Sequence, residues 1–130
     1  MSSAVLLDTH AWAWSFADPD RLSPAARAAV ASAAAVYVSP ISFFEIGQKA
    51  RSGRWPGIER HLTRLPEILR DQGGVSAPVT PEICLLAATM PWEHRDPFDR
   101  LLAATGETMA IPLVTRDPAF AARRELRCLW

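Results

Sequence analysis

The sequence predicts an α/β domain built on a mainly parallel sheet, and three observations lead there. Short apolar runs, Ala4-Val5-Leu6-Leu7, Val36-Tyr37-Val38 and Leu113-Val114, alternate with helix-forming stretches. An acid follows each run: Asp8, Glu45 and Asp117. A fourth acid, Asp99, opens the apolar helix that begins at Phe98. No repeat, linker or low-complexity segment divides the chain, so residues 1–130 are expected to form one domain.

Residues 4–7 suit a buried strand. A helix carrying Trp12, Trp14 and Phe16 follows, and Asp18-Pro19-Asp20 ends it. Ser23-Pro24 reads as an N-cap with proline at the first helical position, and the alanine-rich stretch 25–35 has high helix propensity. Val36 to Val38 is the second strand. Ser42-Phe43-Phe44-Glu45 has the S-x-x-E form of a capping box, which predicts a helix from there to about Arg51, with Gly53 near its end. Residues 58–70 read as helical with a restart at Pro66, and Gly73-Gly74 breaks the pattern.

Residues 75–79 form a weak third strand. Thr80-Pro81 starts a helix with Ile83, Leu86, Ala87 and Met90 along one face. Asp96-Pro97 starts the next, where Phe98, Leu101, Leu102 and Thr105 share a face. Residues 112–114 are the fourth strand, Asp117-Pro118 begins a short helix, and residues 127–130 close the sheet at an edge.

Bulk properties narrow the function. Hydrophobic residues make up 49% of the chain, too many for disorder. The formal net charge is zero, which argues against coating nucleic acid by charge alone but leaves room for a local basic rim beside an acidic pocket. Cys84 and Cys128 lack CxxC spacing and histidine companions, so neither a zinc site nor a disulfide framework is expected; both lie in apolar stretches where a buried thiol is the commoner outcome. Met1-Ser2-Ser3 carries no basic or long apolar segment, and no run reaches the roughly 20 residues of a membrane helix, so a cytoplasmic protein is expected.

Each acid has a purely structural reading. Asp8, Asp96 and Asp117 could be N-caps, while Glu45 and Asp99 fall near a third helical position. Their joint placement is what capping alone does not require. The carboxyl ends of parallel strands form one rim, where ligands bind, so these acids would meet in space. Two like charges about 4 Å apart repel by roughly 4 kcal/mol at an effective dielectric near 20. A divalent cation removes that cost. Carboxylates with the hydroxyls of Ser42 and Thr115 nearby form an oxygen-only set that suits Mg²⁺ or Mn²⁺, and phosphodiester hydrolysis fits such a site.

Other residues carry less. His10, His61 and His94 are expected at the surface or in hydrogen bonds, and the five tryptophans in the core or an interface. Lys49 is the only lysine. Arg51, Arg54, Arg95, Arg100 and Arg116 lie near the acidic motifs, where they could hold phosphates, a partner, or only solvent.

Four segments in order, Leu6-Leu7-Asp8-Thr9-His10 with Trp14, Ser39-x-x-Ser42-x-x-Glu45-Ile46, His94-Arg95-Asp96-Pro97-Phe98-Asp99-Arg100-Leu101-Leu102, and Leu113-Val114-Thr115-Arg116-Asp117, resemble the PIN-domain ribonucleases, in particular the VapC-type toxins of bacterial toxin–antitoxin pairs. The resemblance covers nearly the whole chain. It implies a three-layer domain with a five-stranded parallel sheet, order 3-2-1-4-5, flanked by helices. It also implies an Mg²⁺- or Mn²⁺-dependent endoribonuclease. Asp8, Glu45, Asp99 and Asp117 would be the catalytic acids, with the metal mainly on Asp8 and Asp99. Asp96 is similar to an accessory acid, and Thr115 to the hydroxyl that orients the last acid. The implied partners are an RNA substrate, a small cognate antitoxin and a second copy of the chain, with DNA met only through the antitoxin.

One departure is Gly106, which stands where the resemblance leads one to expect alanine; it should loosen the end of its helix. Two other functions compete: an aspartate-based phosphatase or phosphotransfer domain, and a non-catalytic module that keeps the fold and only binds a partner.

Overall fold

In the computed structural model, which describes residues 4–130, five strands form one parallel sheet in the order β3-β2-β1-β4-β5. The strands are β1 (Val5–Leu7), β2 (Val36–Val38), β3 (Val75–Ser76), β4 (Leu113–Val114) and β5 (Cys128–Leu129). Six α-helices connect and flank them: α1 (Thr9–Ala17), α2 (Pro24–Ser32), α3 (Pro40–Arg51), α4 (Leu65–Asp71), α5 (Pro81–Thr89) and α6 (Pro97–Met109). Both the sheet order and the α/β class agree with expectation. The reading of the first three residues as lacking a targeting segment lies outside the described residues.

β1 is central, with Leu6 opposite Tyr37 of β2 on one side and Leu113 of β4 on the other. The chain therefore leaves β1 toward one edge and returns on the opposite side, which makes the carboxyl end of β1 a topological switch point. Alternation sends neighbouring side chains to opposite faces. Val5 and Leu7 pack with Trp12, Ile46 and Val114 on one face; Leu6 packs with Ile83, Leu102, Leu113 and Phe120 on the other. A sheet covered on both faces needs strands that are apolar throughout, which is why β1 reads as an unbroken run.

Several local expectations change. The strands at residues 75–79, 112–114 and 127–130 shorten to two residues each. The helix expected over 25–35 runs from Pro24 to Ser32, capped by Ser23. Residues 58–64 are a 3-10 segment, with α4 restarting around Pro66. The capping box at Ser42 and Glu45 does not form. Ser39 is the N-cap and Pro40 occupies the first turn, so α3 begins earlier and both residues lie inside it. Ser39-Pro40 is the same start signal as Ser23-Pro24, and it prevails.

Gly106 does not loosen α6, which continues to Met109. A Cβ there would lie 2.7 Å from Leu126 Cδ1 and 3.3 Å from the Ile111 carbonyl oxygen, so the glycine serves close packing. Both cysteines are exposed, contrary to expectation. Cys84 sits beside Ile83 but one step round α5 from the buried face, and Cys128 lies on an edge strand.

Two arginines fix the surroundings of α6. Arg123 makes a two-pronged bond to Glu107, Nη2 to Oε1 at 2.7 Å and Nε to Oε2 at 3.0 Å, with both side chains under a tenth exposed. Arg100 donates to the carbonyls of Ala87, Met90, Trp92 and His94, holding the α5–α6 loop against its own helix. Arg100 is thus engaged by the backbone, which removes it from the arginines open to phosphate. Breaking a buried pair leaves a desolvated charge, so Glu107→Ala should lower unfolding free energy by about 3 kcal/mol in a urea titration. An unchanged midpoint would show that Arg123 finds water or Glu125 instead.

Candidate active site

The carboxyl rim of the sheet holds a cavity of about 410 Å³ lined by Asp8, Glu45, Asp96, Asp99 and Asp117, together with Lys49 and Arg116. Each acid arrives there by its own local rule. Asp8 ends β1 and caps α1, its Oδ1 accepting from the Ala11 N–H at 2.7 Å. Asp96 caps α6 by accepting from the N–H groups of Phe98 and Asp99. Asp99 sits one turn along. Asp117 follows β4 and caps the 3-10 turn Pro118–Ala122 through the Ala119 N–H at 2.9 Å. Thr115 Oγ accepts the Asp117 N–H at 3.1 Å, which sets the direction of that turn.

Glu45 comes from the middle of α3 and is 4% exposed, so it serves no cap. Its Oε2 accepts from Lys49 Nζ at 2.8 Å, one helical turn on. Ser42 is fully buried in the same helix, and its hydroxyl bonds Thr9 Oγ1 at 2.8 Å. Ser42 therefore ties α3 to the start of α1 and spaces Glu45 from Asp8; it is absent from the cavity wall.

Burial is costly for these charges. It pushes Asp8 up to about 6, with Asp99 and Glu45 adding repulsion while Thr115 and the Ala11 amide pull the other way. Asp99 is likewise pushed up to about 6, by burial first; the His94 hydrogen bond opposes this, and Asp96 and Glu45 add to it. His94 Nε2 lies 2.6 Å from Asp99 Oδ2.

As the side chains stand, no three His, Cys, Asp or Glu residues among the described residues are gathered tightly enough to hold one ion. The reason is visible in the pairs just described: Glu45 turns to Lys49 and Asp99 to His94. Repelling carboxylates take whatever counter-charge is in reach. The donor set nevertheless fits a hard cation, because it offers several carboxylate oxygens in one cavity and two of them bear a charge that the site alone tolerates poorly. Asp8 and Asp99 are the residues that could hold it, with Glu45 and Asp117 at the flanks.

His94 makes a hydrogen bond, as expected, but neither its partner Asp99 nor the pairing of Lys49 with Glu45 was foreseen. Lys49 was legible as the i+4 partner of Glu45, a spacing that pairs charges on one helix face. His94 lies in a loop, where no periodicity announces a contact with Asp99.

Comparison with known proteins places the chain. The family model described as PIN domain matches residues 5–126. The chain is 34% identical over 129 residues to "Ribonuclease VapC22" of Mycobacterium tuberculosis (strain ATCC 25618 / H37Rv), covering 96% of this chain and 95% of that protein. Among solved structures, VapBC2 from Rickettsia felis bound to a promoter DNA fragment superposes with a TM-score of 0.64 at 13% identity, over 96% of each chain. VapBC-5 from Mycobacterium tuberculosis, a member of the VapBC family of toxin–antitoxin systems, gives 0.63 at 17%, again over 96% of each. These structural likenesses establish the fold.

The raised carboxyls have a consequence for stability. Between the ordinary value of 3.8 and about 6, the folded chain keeps protons that the unfolded chain has released. These two groups therefore favour folding fully below 3.8 and lose that contribution as pH rises to about 6. Asn caps a helix as well as Asp does. In EDTA, Asp8→Asn should match the wild type near pH ~4 and exceed it by on the order of 2 kcal/mol near pH ~7. A stability difference that does not change with pH would contradict this.

Proposed function

This chain belongs to the PIN domain family, and from that premise we propose that it is an Mg²⁺- or Mn²⁺-dependent endoribonuclease, the toxin of a toxin–antitoxin pair. The observation that carries the reading is the single cavity lined by five carboxylates at the switch point of the sheet. Support also comes from a relative named as a ribonuclease that is matched along nearly its whole length.

In the reaction, water attacks phosphorus, the bond to the 3′ oxygen breaks, and that oxygen takes a proton. The products carry a 5′-phosphate and a 3′-hydroxyl. Asp8 and Asp99 would hold the cation. When bound, it lowers the pKa of water and offsets charge on the phosphate oxygens. Glu45 and Asp117 accept hydrogen bonds from the attacking water and orient it. Lys49 and Arg116, both in the cavity wall, set positive charge beside the phosphate. Asp96 fixes the first turn of α6 and so the position of Asp99. Thr115 fixes Asp117 in the same way.

The partner we propose is a small antitoxin that covers the cavity and sends an arginine into it, since a planar guanidinium pairs well with clustered carboxylates. Solved VapBC toxin–antitoxin structures of the same fold support an antitoxin partner as such. A homodimer is proposed from the family resemblance alone, and DNA contact is assigned to the antitoxin. Among the described residues no helix is long and apolar enough to cross a membrane. We place the activity in the cytoplasm, where RNA is available.

The test uses purified chain freed of antitoxin. With Mn²⁺ it should cleave RNA, and Asp8→Asn or Asp99→Asn should reduce cleavage by at least roughly 100-fold, a loss that even supporting groups of a metal site can cause. Circular dichroism should stay unchanged. Mn²⁺ should raise the melting temperature of the wild type much more than that of Asp8→Asn. Full cleavage by either variant would refute the site.

A further inference from the structure

A second cavity, of about 600 Å³, adjoins the acidic one, and apart from Lys49 its wall has no role in the reaction above. His10, Trp14 and Lys49 line both. The second is completed by Trp55, Arg54 and Arg21, among others. Its size falls in the range of ligand clefts, roughly 300–1,000 Å³.

The rings in its wall form a ladder. His10 stacks on Trp55 with centroids 4.6 Å apart and planes 20° from parallel, and tilts against Trp14 at 5.6 Å. Cations edge the ladder. The guanidinium carbons of Arg116 and Arg21 lie 4.8 Å and 5.7 Å from the Trp14 centroid, and Lys49 Nζ lies 5.9 Å from that of Trp55. Lys49 and Arg21 have carboxylate partners, Glu45 and Asp18. Arg54 and Arg116 have no ion-pair partner among the described residues. Buried aromatic clusters stabilise a core by excluding water. Here His10 is exposed, Trp14 and Trp55 are half-buried, and unpaired positive charge stands beside them.

We propose that this cleft is a subsite for one unpaired nucleotide of the RNA strand, next to the phosphodiester held in the acidic cavity. The inference rests on the ribonuclease reading and extends it to the substrate. A base would add to the ladder of rings, while Arg54 and Arg116 would take the phosphates on either side. Stacking of this kind accepts any base but requires that it be free of a partner strand. The subsite therefore selects single-stranded over paired RNA at the nucleotide flanking the cut.

The experiment uses full-length chain carrying Asp8→Asn, so that RNA binds without being cut. Tryptophan fluorescence is titrated with a short single-stranded oligoribonucleotide and with the same sequence in a duplex. The single strand should quench the signal and the duplex should not. Trp55→Ala and, separately, Arg54→Ala should weaken binding about tenfold, and Trp55→Phe should retain most of it. In the otherwise wild-type chain the same substitutions should raise KM by a similar factor and leave kcat within about twofold.

Arg54 is exposed, so its variant keeps the test open if Trp55→Ala fails to fold. If the wild type cleaves RNA while both variants keep its affinity and KM, the subsite is refuted, the ribonuclease reading stands, and the cleft is left for a protein partner. Equal weakening for duplex and single strand would also overturn it, since that is charge attraction alone. If the wild type neither binds nor cleaves RNA, the underlying reading falls with it.

Discussion

Everything at this site follows from carboxylates being brought together at one rim of the sheet, two of them, Asp8 and Glu45, buried there. The sheet makes this unavoidable. β1 lies between β2 and β4, all strands run the same way, and Asp8 and Asp117 follow the ends of β1 and β4. α3 and α6 bring Glu45 and Asp99 to the same rim. A pair of like charges about 4 Å apart costs roughly 4 kcal/mol at an effective dielectric near 20, and burial adds to that cost. The protein answers in part with its own groups. Lys49 reaches Glu45, His94 reaches Asp99, and the first turns of α1 and α6 offer N–H donors to Asp8 and Asp96. Burial first, and neighbouring carboxylates second, still leave the Asp8 and Asp99 carboxyls raised.

This partial compensation explains why the acids look structural and functional at once. Asp8, Asp96 and Asp117 do cap helical turns, so the plain reading of each is correct as far as it goes. Capping uses one oxygen of each side chain and fixes its position, which leaves the other for chemistry. Glu45 and Asp99 differ: neither is a cap, and each is held by a single side chain, Glu45 by the Lys49 ammonium and Asp99 by its hydrogen bond with His94. Those two pairings are the ones that a cation or a basic partner side chain would have to displace.

Much of the fold was legible because local signals and tertiary structure agree. The apolar runs at residues 4–7 and 36–38 became strands, and the Ser-Pro, Thr-Pro and Asp-Pro pairs at 23, 80, 96 and 117 became helical starts. The sheet order was legible only through the family resemblance, because strands of two or three residues carry no pairing code of their own. Errors arose where two local signals competed or where packing decided. Ser39-Pro40 prevailed over the apparent capping box at Ser42. Gly106 packs closely against Leu126, twenty residues away in sequence, and against the Ile111 carbonyl; three of the four carbonyls that engage Arg100, those of Met90, Trp92 and His94, belong to a loop with no periodicity. At the site, all four acids named from the sequence line one cavity; the i+4 spacing of Glu45 and Lys49 was there to be read, while the bond between His94 and Asp99 emerged only in three dimensions.

The most direct measurement is a carbon-13 NMR titration of the Asp8 and Asp99 carboxyl carbons, with and without saturating Mg²⁺. Without the ion, both midpoints should lie near pH 6, as their burial and the neighbouring carboxylates require. With it, both should fall to about 4 or below, since an opposite charge nearby favours the ionised form. Midpoints already at the ordinary carboxylate value without Mg²⁺, or unmoved by it, would mean that these side chains neither crowd one another nor meet a cation, and the account would fail.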